Sequence, residues 1–376
     1  MRSCVLGITC CAALACLLSN ISQAALPSPG LTGLGPQSFN AFDVNVDGSV
    51  VVGRASNGQA MRWTAAGGVQ SLGLTGGLNS QALAVSGDGS VVAGTADDSA
   101  AVTGAMRWTA ADGMQPLGKL SGGNNFSLAQ GISRDGNVII GQSGSTAGNQ
   151  AFRWTAAGGL VGLSDLPGGS FSSNAYGTNA DGSIIVGSGT SSLGETPMRW
   201  TLAGGMQEIP RPTSGTLDPR IAQAVTPDGF TIVGNARRLG NVEGFVWTQS
   251  SGFIGIGDVA GGSVNSSAND VSDDGLTVVG QTNSGITEAA VWDAQHGLRT
   301  LRAILNAQGV STTGWQLTGA LAISGDGTAI VGQGIHNGVA EAFVAIVVPE
   351  PSSFAIMTAG ASLILHRGRQ RRRRRR

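Results

Sequence analysis

Residues Ala129 to Leu163 read AQGISRDGNVIIGQSGSTAGNQAFRWTAAGGLVGL, one copy of a repeat that fills most of the chain. The copy has three marks: an Asp-Gly pair at Asp135, a glycine six residues later at Gly141, and Trp154 at the end of a short apolar run. The pair and the glycine recur together, which indicates a repeat architecture. The pairs start at Asp47, Asp88, Asp135, Asp181, Asp228, Asp274 and Asp326.

Each copy predicts four short strands separated by turns. A glycine with positive φ permits a tight hairpin at Asp135-Gly136. The β-branched run that follows suits a buried strand, and we expect Gly141 to end it. In this copy the predicted strands are Ala129 to Ser133, Val138 to Ile140, Ala151 to Trp154 and Leu160 to Leu163.

Four strands in about 46 residues is the period of one propeller blade, which predicts an all-β, seven-bladed β-propeller over residues 25–347. A single blade cannot bury both of its faces, so the blades must stack and close a ring. The last copy lacks a fourth strand, whereas Leu31 to Gly35 resembles the fourth strand of other copies. We therefore expect this N-terminal strand to close the ring.

The last step between Asp-Gly pairs is the longest because Leu298 to Gln308 interrupts the repeat with apolar residues at helical spacing. Leu301, Ile304 and Leu305 predict a short helix, which Trp315 follows ahead of the last copy. Two interpretations stay open. The helix is either a cap on the ring, as terminal repeats are often atypical, or a lid over a binding face.

Residues 1–24 have the layout of a secretory signal peptide: a basic start, an apolar run from Cys4 to Leu18, and the small-x-small site Ser22-Gln23-Ala24. We place the cut by signal peptidase after Ala24. All four cysteines lie in this segment, so the exported chain would have no thiol for disulfides, catalysis or zinc. Lipidation at Cys16 is the alternative.

Composition suits an exported β protein, since 61 glycines and 12% charged residues favour turns and thin strands over helices. The net charge of -1 hides an asymmetry. Residues 25–348 carry 13 basic and 22 acidic side chains, whereas eight arginines lie within residues 367–376. The acidic body argues against nucleic-acid binding.

The C-terminal end has a distinct order of parts. Val348, Pro349, Glu350 and Pro351 precede an apolar stretch from Phe354 to Leu365, and arginines follow. The apolar stretch would rise only ~18 Å as a helix, short of the ~30 Å hydrocarbon core, so alone it is a poor permanent span. The arginines would hold the tail in the cytoplasm.

This order of parts resembles the PEP-CTERM protein-sorting signal of bacteria over residues 348–376. The resemblance implies a transient membrane anchor, recognition by an exosortase-type membrane protease and removal of the tail near Pro349-Glu350-Pro351. It also implies delivery to the cell surface or to an extracellular polysaccharide matrix. An ordinary tail anchor is the alternative.

The repeats resemble extracellular HAF-type repeats over residues 31–347. The matching features are the Asp-Gly turn, the Val-Val-Gly or Ile-Ile-Gly strand and the Ala-Phe-Arg-Trp strand. This resemblance implies a propeller-like exported module without a defined activity.

The sequence offers no catalytic, cofactor-binding or metal-binding constellation. His296, His336 and His366 lie in a predicted turn, a loop and the tail, which leaves no cluster for a metal or a triad. A catalytic pair of carboxylates for glycoside hydrolysis stays an open interpretation, because the loops of different blades bring acidic residues that are distant in sequence close together. The candidates are Asp165 and Asp258 after fourth strands, and Glu195, Glu243 and Glu288 in loops between second and third strands.

Two repeated features have a structural and a functional interpretation. Asn45-x-Asp47-Gly48 matches part of a calcium-binding loop. The stretch lacks the further oxygen ligands that such a loop needs, so a hairpin turn explains it better. The tryptophans could stack on sugars, although their fixed place at a strand end favours packing between blades. They are Trp63, Trp108, Trp154, Trp200, Trp247 and Trp292. The preceding Arg62, Arg107, Arg153 and Arg199 are expected to face outward with their stems over the sheet.

The sequence thus predicts an exported, non-enzymatic interaction or structural module at the cell surface or in the matrix, with extracellular polysaccharide as a candidate partner and no cofactor. The alternative is a secreted carbohydrate-active enzyme on the same ring.

Overall fold

The computed structural model describes residues 28–35, 39–212, 215–259, 265–283 and 285–348. These residues form β-strands almost throughout. The first strands are β1 (Gly30–Gly33), β2 (Phe39–Val44), β3 (Val50–Ala55), β4 (Ala60–Thr64), β5 (Gly68–Ser71), β6 (Ser80–Val85), β7 (Val91–Asp97), β8 (Thr103–Thr109), β9 (Gly113–Gly118), β10 (Gly122–Ile132), β11 (Val138–Ser145), β12 (Gly148–Thr155), β13 (Gly159–Gly162) and β14 (Gly168–Thr178). There follow β15 (Ile184–Ser191), β16 (Gly194–Thr201), β17 (Gly205–Glu208), β18 (Leu217–Val225), β19 (Thr231–Arg238), β20 (Asn241–Thr248), β21 (Gly252–Gly255), β22 (Ser266–Val271), β23 (Val278–Asn283), β24 (Thr287–Asp293), β25 (Gly297–Thr300), the helix α1 (Leu301–Ala307), β26 (Trp315–Ile323), β27 (Ala329–His336) and β28 (Val339–Ile346).

Each sequence repeat corresponds to a group of four antiparallel strands in up-and-down order. We number these repeat units 1 to 7 by their Asp-Gly pairs. The four-stranded sheets are β2 to β5, β6 to β9, β18 to β21, β22 to β25, and β1 with β26 to β28. The groups β10 to β13 and β14 to β17 are joined into one sheet by a single parallel bridge between Asn149 and Ser172.

The strands are longer than the sequence predicted. In unit 3 the second strand does not end at Gly141 but continues to Ser145, and the first strand begins at Gly122 rather than Ala129. The prediction was wrong because it took a glycine as a strand end. Gly141 instead pairs with Ala129 and Phe152 in the middle of the sheet.

Gly141 lies opposite a β-bulge in the first strand, where the ladder shifts between Ala129 and Gly131. A Cβ on Gly141 would lie 1.8 Å from the carbonyl oxygen of Leu128, so only glycine fits. A Cβ on the equivalent glycine of any other unit would lie 1.8 to 2.0 Å from a first-strand carbonyl oxygen. They are Gly53, Gly94, Gly187, Gly234, Gly280 and Gly332.

The N-terminal strand β1 pairs antiparallel with β28, the third strand of unit 7, as the sequence predicted. Leu31 lies opposite Ala345 and Gly33 lies opposite Phe343. The pairing extends past the strand, since the Leu34 N–H donates to the Ala342 carbonyl at 2.9 Å. Residues from the two ends of the described chain therefore complete one sheet.

The apolar core consists of clusters between the faces of successive units. One example joins Ile139 and Phe152 of unit 3 to Ala84 and Ala93 of unit 2. The same kind of cluster joins unit 7 to unit 1, where Val331 and Val344 pack with residues such as Val51. Each unit has two faces to bury, and a single sheet cannot cover its own faces, so the units bury them against one another.

The helix α1 is shorter than its predicted stretch, because residues 298–300 belong to β25. Thr300 caps its N-terminus by accepting the Ala303 N–H at 3.2 Å. Leu301 and Leu305 are fully buried in the cluster between units 6 and 7. In the part of the chain that the structure describes, no helix has the length and apolar character needed to span a membrane.

Candidate functional site

The Asp-Gly turns and the turns between third and fourth strands lie at the same end of each antiparallel sheet. We call this end the turn face. In unit 3 the Asp135 carboxylate accepts the Asn137 N–H at 3.0 Å, and Gly136 has a φ of 70°. The Ser133 hydroxyl accepts the Val138 N–H at 2.9 Å and donates to Asp135. The local sequence therefore closes the turn with its own side chains.

The polar residue two positions before each Asp-Gly pair is a mark that the sequence prediction missed. In every unit its side chain accepts the N–H of the residue five positions later, at or just before the start of the second strand. The turn hydrogen bonds also hold the pKa of Asp47 and of Asp88 below the usual range. These bonds account for Asn45 and Asp47 without a calcium ion. The residues are Asn45, Ser86, Ser133, Asn179, Thr226, Ser272 and Ser324.

The residue just before each Asp-Gly pair contacts its equivalent in a neighbouring unit. The Val46 N–H donates to the Gly87 carbonyl at 3.3 Å, and the Gly87 N–H donates to Arg134 at 2.9 Å. The Asp273 N–H donates to Gly325 at 3.0 Å, and the Gly325 N–H donates back to Val46 at 2.9 Å. These bonds join the turns of units 1, 2 and 3 to one another and the turn of unit 7 to those of units 6 and 1.

An ion pair joins two of these turns. The Arg134 guanidinium of unit 3 forms a two-bond contact with the Asp273 carboxylate of unit 6, and both side chains are about one-third exposed. A Cβ on the neighbouring Gly325 would lie 2.6 Å from that carboxylate, so glycine leaves room for it. Units 3 and 6 are not adjacent in the sequence, so the pair connects turns that are far apart along the chain.

Two further carboxylates line the first strands near this ion pair. Asp43 of unit 1 accepts the N–H of Val44 and of Val85 in unit 2, both at 2.8 Å. Asp270 of unit 6 accepts the N–H of Ile323 in unit 7 at 2.9 Å. We call Asp43, Asp270, Arg134 and Asp273 the axial cluster. Asp43 and Asp270 each connect neighbouring units through a backbone donor.

Asp43 and Asp270 hold their protons more tightly than an ordinary aspartate does. Burial raises the pKa of Asp43 to about 7, and the negative charge of Asp270 adds to this effect. Burial also raises the pKa of Asp270, to about 6, against the opposing effects of its backbone donors and of Arg134. The axial cluster therefore changes its charge near neutral pH.

A cavity of about 430 Å³ opens at the turn face between units 5, 6 and 7. Its size falls within the range of ligand-binding clefts. Both hairpin turns of unit 6 contribute to its wall, and the helix and the last described residues close one side. The wall includes Leu276, Trp292, His296, Arg299, Ile304 and Gln308, together with Val347 and Val348. We call it the turn-face cavity.

Asp293 organises the polar part of this wall. Its Oδ1 accepts the His296 N–H at 2.8 Å and lies 2.9 Å from His296 Nδ1, while its Oδ2 accepts from Arg299 at 2.7 Å. Burial alone would raise the pKa of Asp293, but the His296 contacts and the Arg299 charge outweigh burial and lower it. Asp293 is thus an anion that orients two basic side chains.

The chain leaves unit 7 beside the same cavity. Gln308 follows α1, and its Nε2 donates to the Val348 carbonyl at 2.8 Å. The Gln308 Oε1 accepts the Val348 N–H at 3.1 Å. These two bonds fix the position of Val348.

The acids that the sequence singled out have structural contacts. Asp165 of unit 3 accepts the Ser172 N–H at 2.6 Å and the Thr190 N–H at 3.2 Å, both in unit 4. Asp258 of unit 5 accepts from the Thr282 hydroxyl of unit 6 at 2.5 Å. Each therefore ties its unit to the next one.

Glu195, Glu243 and Glu288 were predicted in loops, which was wrong, since they lie on the third strands β16, β20 and β24. The strands extend beyond the apolar run, because the polar residues that precede the run also pair with the neighbouring second strand. Glu243 is buried and forms an ion pair with Arg238 at 2.6 Å, and Glu288 forms one with Arg302 at 3.3 Å.

The histidines stand in separate places. His336 stacks on Trp315 with ring centroids 4.3 Å apart, and its Nδ1 lies 2.8 Å from Glu341. Trp315 is the first residue of β26 and not, as predicted, a residue ahead of the last unit. His366 lies outside the described residues. Among the residues that are described, no three His, Cys, Asp or Glu side chains are grouped to hold a metal ion.

The tryptophans at the ends of the third strands pack against the clusters between units, which confirms the packing interpretation. Trp154 packs on the cluster of units 2 and 3, and Trp200 is part of the cluster of units 3 and 4. Arg153 is half-buried, and its Nε donates to the Gly182 carbonyl of unit 4 at 3.1 Å. That arginine therefore reaches the next turn rather than facing only outward.

The predicted processing sites are only partly within the described residues. Val348 is described, whereas Pro349, Glu350, Pro351 and the cleavage site at Ala24 lie outside. The signal peptide, residues 1–24, and the apolar stretch from Phe354 to Leu365 lie outside as well.

Sequence reasoning missed the axial cluster. Asp43 and Asp270 stand four residues before an Asp-Gly pair, where the other units have alanine or glycine. A charged residue at a position otherwise held by small residues was the available signal.

Comparisons with known proteins support the fold. A scan against protein-family models and a search of curated proteins found no match. Among solved structures, the β-propeller domain of Cps50 (Swd1) from Myceliophteria thermophila is similar, with 12% identity and a TM-score of 0.51 over 85% of this chain and 100% of that one. TolB from Acinetobacter baumannii has 12% identity and a TM-score of 0.46 over 70% of this chain, which spans 63% of that protein. This chain thus has an all-β fold of four-stranded antiparallel sheets like that of β-propeller structures.

Proposed function

We propose that the chain is an exported seven-bladed β-propeller that acts as a non-enzymatic interaction or structural module. It is sorted to the cell surface or the extracellular matrix by an exosortase-type system. The observation that carries this proposal is that acidic residues singled out in the sequence make contacts that stabilise the fold. Asp165, Asp258 and Glu243 bond to backbone, hydroxyl or arginine groups rather than facing a common cleft.

The count of seven blades and the closure of the ring are supported by contacts between the ends of the repeat. Unit 1 packs on unit 7 through an apolar cluster that includes Val51 and Val331. The backbone bond from Gly325 to Val46 joins the same two units at the turn face. The strand β1 completes the sheet of unit 7.

Sorting is supported by the position of the Pro-Glu-Pro motif relative to the folded part. The last strand ends at Ile346, and the motif begins three residues later at Pro349. A short apolar stretch and an arginine-rich end follow, as in the sorting signal that this region resembles.

An exposed aromatic side chain at the turn face gives a concrete binding surface to test. Phe230, two residues after Asp228, is 72% exposed, and the equivalent Leu276 of unit 6 is 54% exposed. Aromatic faces suit contact with apolar faces of ligands, including sugars. We therefore take extracellular polysaccharide of the producing organism as the candidate partner.

The first test measures binding and turnover of the purified exported chain on that polysaccharide. We expect the polysaccharide to retain the protein without releasing oligosaccharides, and we expect Phe230→Ala to weaken retention. Leu193→Ala is the matched control, because Leu193 is 61% exposed on the opposite end of the sheets. Release of oligosaccharides would replace the proposal with a secreted carbohydrate-active enzyme.

The second test concerns sorting. The full chain is produced in a bacterium that has an exosortase and in the same strain without it. We expect loss of the C-terminal tail and surface delivery only where the exosortase is present, and we expect alanine at Pro349 and Pro351 to block both. Equal processing in the two strains would refute the sorting proposal.

A further inference from the structure

A cavity of about 230 Å³ opens in unit 2, at the end of the sheets opposite the turn face. Gly104 of the third strand β8 forms part of its wall, and Pro116 and Gly118 of the fourth strand β9 form another part. We call it the unit 2 cavity. It is smaller than the clefts that hold drug-sized ligands, so its size suits a single small ring.

The unit 2 cavity is open because residue 104 is a glycine. Gly104 stands four residues before Trp108, and the equivalent residue of every other unit has a longer side chain. In unit 5 that side chain belongs to Glu243, which accepts the Gly257 N–H at 3.1 Å just beyond the fourth strand. A Cβ on Gly104 would meet no atom closer than 3.7 Å, so the space is unfilled. The equivalent residues of the other units are Gln59, Gln150, Thr196, Glu243, Glu288 and Glu341.

The wall of the unit 2 cavity has one positive and one negative side chain. Lys119, the only lysine in the chain, donates to the Asn125 side chain with one of the three donors of its ammonium group. The Asp98 carboxylate accepts the Ala100 and Val102 N–H groups at 2.8 and 3.0 Å, and both bonds use Oδ1. The wall therefore offers a donor and an acceptor to a ligand and has no net charge.

A second cavity, of about 210 Å³, adjoins the first, since Thr103 lines both. We call it the polar cavity, because every residue that lines it is polar. Arg54 donates to Asn79 at 3.3 Å, and Asn79 donates to Asp97 at 2.9 Å. Among the residues that the structure describes, the buried Nε of Arg54 has no hydrogen-bond partner. An unpaired buried donor costs free energy, so an acceptor on a ligand would stabilise it.

We propose that the unit 2 cavity and the polar cavity together bind a neutral sugar. One ring lies in the unit 2 cavity against the apolar side chains of Val102 and Pro116. Sugar hydroxyl groups both donate and accept, so they can contact Lys119, Asp98 and Arg54 at once. Each cavity pairs one positive with one negative side chain, so a charged ligand would be repelled by one of them. That the sugar belongs to the extracellular polysaccharide rests on the function proposed above.

The single lysine provides a local reporter for the test. The full chain is produced with isotope-labelled lysine and kept in a detergent without a sugar headgroup, so that Lys119 alone gives the NMR signal. The probes are the methyl glycosides of glucose, mannose and galactose. We expect at least one of them to shift the signal in a saturable way. Glucuronic acid and free alanine should bind about tenfold more weakly, because an unpaired charge is costly to bury.

The absence of a saturable shift with all three glycosides overturns the proposal. Tighter binding of glucuronic acid or of alanine overturns the assignment to a neutral sugar.

Gly104→Gln fills the unit 2 cavity with the side chain that units 1 and 3 have at this position. We expect the variant to lose the Lys119 shift and to keep a melting temperature close to that of the unmodified protein. Gly30→Gln, on β1, is the matched control and should keep the shift, because its Cβ meets no atom closer than 4.0 Å. A shift that survives Gly104→Gln overturns the site.

Arg54→Met tests the polar cavity without touching the reporter. Loss of a hydrogen bond from a charged group is expected to weaken binding of the glycoside about tenfold. Arg107→Met is the control, because Arg107 lies toward the turn face, beside Asp112, and should not affect binding. Equal affinity of Arg54→Met and the unmodified protein overturns the role of the polar cavity.

The sugar site and the proposed function fail separately. Binding of a methyl glycoside at Lys119 without retention of the protein by the polysaccharide would leave the site in place and refute the polysaccharide as partner. Retention by the polysaccharide with no response at Lys119 would refute the site alone.

Discussion

Gly141 and its equivalents stand where two backbones meet without space for a side chain. The first strand of each unit bulges next to this glycine, which brings a carbonyl oxygen to within 2.0 Å of where a Cβ would be. The need is therefore steric and does not depend on positive φ. The bulge bends the first strand at the same place in each unit.

Gly141→Ala tests this requirement. The new methyl group would meet the Leu128 carbonyl at 1.8 Å, so backbone must move, and we expect the free energy of unfolding to fall by about 2–3 kcal/mol. Gly104→Ala is the matched control, because its Cβ meets no atom closer than 3.7 Å. Chemical denaturation measures both variants, and an equal loss in the two would contradict the steric explanation.

The contribution of Asp43 to the free energy of unfolding depends on pH. Its pKa is about 7 in the folded protein against an ordinary value of 3.8, so the folded state holds the proton more tightly than the unfolded chain does. The stabilisation from that proton is complete below pH 3.8 and is lost as the pH rises through 7. Each unit of raised pKa corresponds to about 1.4 kcal/mol.

Asp43→Asn is therefore expected to change the pH dependence of stability. The amide keeps an oxygen for the Val85 N–H but has no charge to bury. Between pH 5 and pH 8 the free energy of unfolding of the unmodified protein should fall, and the variant should lose on the order of 1 kcal/mol less. Asp112→Asn, at an exposed turn, is the control. Parallel pH profiles for Asp43→Asn and the unmodified protein would refute the expectation.

At the scale of elements, the helix α1 is held by packing more than by its own sequence. It has seven residues, too few to be stable alone. Its two fully buried leucines enter the cluster between units 6 and 7, and its C-terminal end holds Val348 through Gln308. The helix thus joins the core to the exit of the chain.

Leu305→Ala should reveal that coupling. Removing a fully buried leucine side chain costs about 2–5 kcal/mol, and the helix is expected to loosen. Hydrogen exchange should then increase at Val348 as well as within the helix. Asn306→Ala, an exposed position of the same helix, is the control and should leave both unchanged. Faster exchange in the helix with no change at Val348 would show that the two are independent.

At the scale of the whole molecule, the ends of the described chain are joined in one sheet. The pairing of β1 with β28 and the apolar cluster between units 7 and 1 both depend on residues near the N-terminus. Leu34 and Phe39 are buried in that cluster. Loss of β1 would expose the edge of β28 and the apolar surface beneath it.

Deletion of residues 25–36 is accordingly expected to lower the melting temperature far more than shortening the exposed loop between β7 and β8 by two residues. The deletion removes a whole paired strand, while the loop bears few buried side chains. Calorimetry on both proteins makes the comparison. An unchanged melting temperature after the deletion would contradict the role of β1.

Local marks predicted much of the fold. Asp135-Gly136 forms the expected turn, and residues 138–140 lie in the expected strand. The N-terminal strand was also predicted, because it completes the last copy of the repeat. The short helix was predicted because it interrupts the repeat. Strand ends were predicted less well, since Gly141 lies inside β11 and Glu243 lies on β20. Pairing across a bulge depends on the partner strand, which a local pattern does not contain.

The sequence by itself determined the repeat unit, its four strands and the turn chemistry, because these depend on residues close together in the chain. Only the tertiary structure decided the axial cluster and the turn-face cavity. Asp43, Arg134 and Asp270 belong to units 1, 3 and 6, and they come close together only when the sheets pack against one another. The raised pKa values of Asp43 and Asp270 follow mainly from burial, which exists only after that packing.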